Sequence, residues 1–183
     1  MKSKKLLSII LALAMMFSVL PASTVLVYAD VITETISADT TWNDGDTVGG
    51  VTISGGTVTI NGDVGITAAI TIKGDVTFTG GGTLNRMSTS GNLIKVESGS
   101  LTLGNVTIDG NDVIISDSGA VAAINMADGT VIMNDGAKIT NHKRTSGYGP
   151  AVYMAGGNFK MKGGTISGCE SRNYGGAIYL DGG

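Results

Sequence analysis

The sequence predicts an all-β solenoid, and three observations carry that prediction. Glycine is dense: there are 29 in 183 residues, and beyond Gly45 the longest run without one is Ala137 to Ser146. An average helix of about 11–12 residues would not fit without an interior glycine, each costing about 1 kcal/mol. In place of helical periodicity the chain offers short alternating segments, VTIS, TVTIN, ITIK, VTFT, LTL, VTID, KIT and FKMK, rich in β-branched residues and bounded by Gly, Asn and Asp. The third observation is internal repetition. Tyr148 to Gly157, YGPAVYMAGG, returns as Tyr174 to Gly183, YGGAIYLDGG.

In chain order, the first segment carries Lys2, Lys4 and Lys5 ahead of an apolar run from Leu6 to Leu20. That run is shorter than the ~20 residues needed to span a bilayer. Val27-Tyr28-Ala29 supplies a cleavage site, so 1–29 is predicted to be a signal peptide and the protein secreted. Its removal takes three Lys and no acid, leaving 154 residues with 9 basic and 15 acidic side chains, a net charge of −6. Residues 30–92 have less regular spacing and the lone Trp42, and are predicted to form an N-terminal cap and first irregular coils. Residues 93–183 are predicted to form regular coils. Ile94, Ile124, Val152 and Ile178 begin equivalent strands at steps of 30, 28 and 26. The second strands place Leu103, Met133 and Met161 in one column of the core, and the third strands Ile108, Ile139 and Ile166 in another.

An Asn61-Gly62 pair between Ile60 and Val64 would equally suit a hairpin in an antiparallel meander. Repetition decides for stacking, because three short strands cannot bury their own apolar side chains and must pair in parallel with the next unit. The expected fold is therefore a right-handed parallel β-helix, a three-walled solenoid. Coils about 4.8 Å apart would make five or six of them a rod of roughly 25–30 Å. The last coil stops at Gly183 before its second strand, so the chain is expected to be the N-terminal part of a longer protein or an interrupted reading frame. On this scheme Ile124→Asp buries a charge, whereas Asn125→Asp, facing outward, is tolerated.

The repeats resemble right-handed parallel β-helix proteins with a pectate-lyase-like fold, especially long repetitive surface proteins of Gram-positive bacteria. The residues that carry the resemblance are TTWNDGDTVGGVTISGGTVTINGDV, GSLTLGNVTIDGN and GGNFKMKGGTISGCESRNYGGAIYLDGG, and it covers most of 35–183. Gly175-Gly176-Ala177-Ile178 is also similar to a repeat tetrapeptide of chlamydial polymorphic outer-membrane adhesins. The companion motif of that family is absent, since Phe159 is followed by Lys160-Met161-Lys162. The Gram-positive resemblance implies a cell-surface rod with adhesion or glycan contact. That implication is a fold-level analogy.

A net charge of −3 for the whole chain gives no broad electrostatic reason to expect nucleic acid. One Cys forms no internal disulfide, and no Cys/His set matches a zinc site. Asp44-Gly-Asp46 and Asp109-Gly-Asn-Asp112 lack the spaced loop ending in Glu of a calcium hand and are read as turns, so no metal or cofactor is expected. The outward positions Lys95, Asn125, Tyr153 and Tyr179, and Thr102, Ile132 and Lys160, hold no carboxylate pair for glycoside cleavage. Asn111, His142 and Cys169 follow successive third strands and have the chemistry of a cysteine nucleophile, base and orienting amide; stacked polar corner residues explain them better. The chain is thus expected to be non-enzymatic, with no catalytic residue. Its best contact surface is Tyr153 and Tyr179, stacked in adjacent coils, with Tyr148, Tyr174, Lys143, Arg144 and Arg172 in nearby loops able to hold an acidic glycan. A polysaccharide-cleaving enzyme whose active coils lie beyond this chain is the alternative.

Overall fold

The structure is a computed structural model that describes residues 31–181. The predicted signal peptide, 1–29, lies outside the described residues. Those residues are all-β, with no helix, and none therefore long and apolar enough to cross a membrane.

The described residues open with four short strands, β1 (Val31–Ile32), β2 (Thr35–Ile36), β3 (Thr40–Trp42) and β4 (Thr47–Val48). Two long strands follow, each with a shorter partner: β5 (Thr52–Ile60) with β6 (Asp63–Ile66), and β7 (Ile70–Thr79) with β8 (Thr83–Arg86). Three four-strand units come next. The first is β9 (Ile94–Val96), β10 (Ser100–Leu103), β11 (Thr107–Asp109) and β12 (Ile114–Ile115). The second is β13 (Ile124–Met126), β14 (Thr130–Met133), β15 (Lys138–Thr140) and β16 (Lys143–Arg144). The third is β17 (Val152–Met154), β18 (Asn158–Met161), β19 (Thr165–Ser167) and β20 (Glu170–Ser171), and β21 (Ile178–Leu180) begins another turn.

Every strand pairing is parallel, which excludes the antiparallel meander. The three predicted columns are in register and extend upstream. Ile70, Ile94, Ile124, Val152 and Ile178 are paired in turn. So are Phe78, Leu103, Met133 and Met161, and Val64, Leu84, Ile108, Ile139 and Ile166. This succession is consistent with a parallel β-helix.

Two features differ from the sequence expectation. Each regular unit has a fourth strand, and β12, β16 and β20 form a separate three-stranded sheet. In addition, the first and second strands of each unit belong to one eleven-stranded sheet, because β7 runs unbroken and pairs with both β9 and β10. In the later coils a corner glycine separates those strands. Gly99, Gly129 and Gly157 all have positive φ, of 72°, 84° and 80°. A Cβ on Gly129 would strike the Gly99 carbonyl, and one on Gly157 the Gly129 carbonyl. The corner therefore needs glycine both for its left-handed backbone and for the close stacking of coils.

Alternation fills the interior: Leu101, Leu103, Val131, Met133, Ile108 and Ile139 are fully buried. Each such side chain contributes roughly 1.5–3 kcal/mol by leaving water. Trp42, expected in a cap, is itself a core residue at 1% exposure, its ring centroid 6.0 Å from that of Phe78. Burial weakens in β18 and β21, whose strands have a neighbour on one side only, so that Met161 is 49% and Leu180 64% exposed. Asn125 does not behave as a free outward residue, since its Nδ2 donates to the Ala120 carbonyl at 2.6 Å. The expected tolerance of Asn125→Asp is thereby corrected: a carboxylate there removes the donor and faces a carbonyl oxygen.

Candidate functional site: a tyrosine stack and the loops that carry it

Tyr153 lies at the centre of β17 and Tyr179 at the centre of β21, paired in register. Their ring centroids are 5.7 Å apart with planes 21° from parallel. Five residues before each lies Tyr148 or Tyr174, joined by a parallel bridge. The four rings form one zigzag: Tyr153 on Tyr179, Tyr179 on Tyr148 at 4.5 Å, and Tyr148 on Tyr174 at 5.6 Å. Gly149 makes room for it, since a Cβ there would lie 2.8 Å from Tyr179 Cβ. Offset stacking of this kind adds about 0.5–1.5 kcal/mol per pair beyond the area buried.

The stack corrects one expectation. Tyr153, expected to be exposed, is only 6% exposed. An outward direction in a strand does not secure access to solvent when the next coil's ring covers it. Its hydroxyl donates to Asp181 Oδ2, and that bond, more than burial, pushes the phenol up to about 12. Ring faces inside the zigzag press on one another. The face left open is that of Tyr174, which is 67% exposed.

The basic residues separate from the rings. Lys143 Nζ pairs with Asp112 Oδ1 at 2.8 Å, which raises its pKa. Arg172 is exposed and lines a shallow groove of about 180 Å³ with Lys143 and Glu170, and no tyrosine lines it. Arg144 turns inward and is 3% exposed. Its Nη1 donates to the Val121 and Tyr148 carbonyls, the latter at 2.9 Å, and its Nη2 to those of Asp117 at 2.8 Å and Gly119 at 3.0 Å. Burial lowers its pKa, against the opposing pull of Asp117. Arg144 also lines that groove, yet its guanidinium is taken up by four backbone carbonyls, so the expected exposed contact is corrected to a buried residue.

Asn111, His142 and Cys169 do not assemble into a nucleophile site. The linker between β11 and β12 is two residues longer than those between β15 and β16 or β19 and β20, and Asn111 and Asp112 take left-handed φ of 53° and 52° within it. His142 is 1% exposed, with Nε2 3.3 Å from the Ile108 carbonyl and Nδ1 without a partner. Burial first, then Arg86, pushes it down to about 4. Burial pushes the Cys169 thiol up, the opposite of an activated nucleophile. The two Asp-Gly motifs are tied into turns, as Asp109 Oδ1 accepts from the Asn111 amide at 2.7 Å and Asp46 Oδ2 from the Asn43 amide at 2.7 Å. Among the described residues no group of three or more His, Cys, Asp or Glu could hold a metal.

One concavity escaped the sequence. A groove of about 430 Å³ beside β4, β6 and β8 is lined by Asp46, Asp63, Gly65, Asn85, Met87 and Asn111. The register Thr47, Gly65, Asn85 and Asp109 creates it. The small residue at 65 was visible in the sequence, but its alignment with Asn85 was not. The chain has no significant similarity to the protein-family models, curated proteins or solved structures with which it was compared.

Proposed function

We propose that the chain is a right-handed, three-walled parallel β-helix that serves as a secreted cell-surface rod of the Gram-positive kind, an adhesin-like scaffold contacting glycans. The tyrosine stack, ending on the open face of Tyr174, is the single observation that supports contact with sugars. A flat ring in a loop held by a parallel bridge to Tyr148 offers apolar area at low entropic cost, which suits the C–H face of a pyranose. Lys143 and Arg172 lie in a separate groove that no tyrosine lines. On a glycan array the parent is expected to retain at least one oligosaccharide and Tyr174→Ala to lose it with an unchanged β spectrum. Equal retention by the variant would refute the contact.

Polysaccharide cleavage is a second reading, favoured by one observation: Asp46 and Asp63 line the same groove. Hydrolysis by paired carboxylates takes place across such a groove. Incubation with pectins, other uronides and host glycans, read by reducing ends and unsaturated product, distinguishes the two. Turnover lost in Asp63→Asn would favour the enzyme.

A further inference from the structure

We propose that Arg144 is the positioning residue of the tyrosine stack: its guanidinium fastens the loop before one coil's first strand to Tyr148 in the next. This deepens the glycan-contact reading and rests on it only for the use to which the stack is put.

The geometry is specific to arginine. The carbonyls of Asp117, Gly119 and Val121 belong to the loop leading into β13, and that of Tyr148 to the loop leading into β17. One planar head with two forked nitrogens reaches all four, as a lysine ammonium on its single point does not. Gly147, with φ of 88°, lies against the guanidinium so closely that a Cβ would overlap it. The chain therefore folds back over the charge just before Tyr148. Arg144 pairs in register with Ile115 on one side and Ser171 on the other, and Ser171 Oγ donates to the Gly147 carbonyl at 2.9 Å. The backbone on both sides of Tyr148 is thus fixed from below.

A similar device, set two units earlier on β8, links the preceding pair of loops. Arg86, 1% exposed, donates to the Gly91 carbonyl at 2.9 Å and to those of Ser88 and Ala122 at 3.4 Å. It links the loop before β9 to the loop before β13. Asp117 completes the chain of contacts, its Oδ2 accepting from the Gly91 amide at 2.7 Å. Two buried arginines in succession thus hold consecutive loops at one edge of the wall. Of the three loops so held, only the last, leading into β17, carries an aromatic residue of the stack.

The experiment compares the parent, Tyr148→Ala, Arg144→Lys and Arg144→Met by far- and near-ultraviolet circular dichroism. Arg144→Lys is expected to keep the β spectrum and to lose the tyrosine band to the level of Tyr148→Ala. A folded Arg144→Lys or Arg144→Met with the parental tyrosine band would overturn the proposal. Should both variants fail to fold, ¹⁵N spectra of the parent decide. Resolved, slowly exchanging Arg144 Nη protons are expected, and a single averaged signal contradicts the staple. A parent that binds no glycan but gives the expected band losses removes the glycan reading and leaves the positioning role intact.

Discussion

At the scale of single residues, the interior polar groups make the firmest predictions. His142 is neutral in the fold and pushed down to about 4, so between about pH 6.5 and 4 the unfolded chain binds the extra proton. Its contribution is present above pH 6.5 and lost as pH falls to about 4, roughly 3 kcal/mol in all. Urea unfolding of the parent and His142→Leu at pH 7 and pH 4.5 should show a smaller pH difference in the variant. An identical difference would mean that the imidazole is not buried as described. Cys169, its thiol raised by burial, should react with iodoacetamide at neutral pH more slowly than a free thiol. The inward turn of Arg144 was not legible in the sequence, because β16 has two residues and alternation over two residues has no phase. Arg86 was more readable, following Leu84 by two in a four-residue strand.

Within elements, the alternation holds where both neighbours are present. Ile124 is fully buried between Ile94 and Val152, and Ile124→Asp should unfold the chain or cost more than about 4 kcal/mol. Lys95, exposed on the same wall, should accept Gln within about 0.5 kcal/mol. Thermal melts of the two variants check the inward and outward assignment, and equal melting temperatures would reject it. The corner column gives a separate test. Gly129→Ala combines a left-handed backbone, about 1–2 kcal/mol, with a clash against the Gly99 carbonyl that adds about 1–3 kcal/mol. A loss below 1 kcal/mol would show that the coils can part there.

Across the whole molecule, stability follows the number of neighbouring coils, as in any stack whose units touch only the next. Met133 and Met161 are equivalent in register, yet one is fully buried and the other half exposed. Met133→Ala should therefore cost about 2–5 kcal/mol and Met161→Ala well under half as much. Denaturant titration of both variants measures the ratio, and equal costs would contradict a graded stack.

The β class, the parallel register of the regular coils and the pairing of Tyr153 with Tyr179 were legible in the residue order. Those properties follow from local periods: glycine spacing forbids helix, alternation sorts side chains, and a repeat of 26–30 residues aligns equivalent strands. Which outward side chains reach water was settled by packing, because access depends on what the adjacent coil lays over them. Tyr153 is outward but covered, Asn125 is outward but tied to a loop, and Arg144 is a charged residue buried beneath backbone carbonyls. The Gly65 groove arose in the same way, from a register between strands of different units. Periodicity gives each side chain a direction, and the neighbouring coil then determines whether it stays exposed.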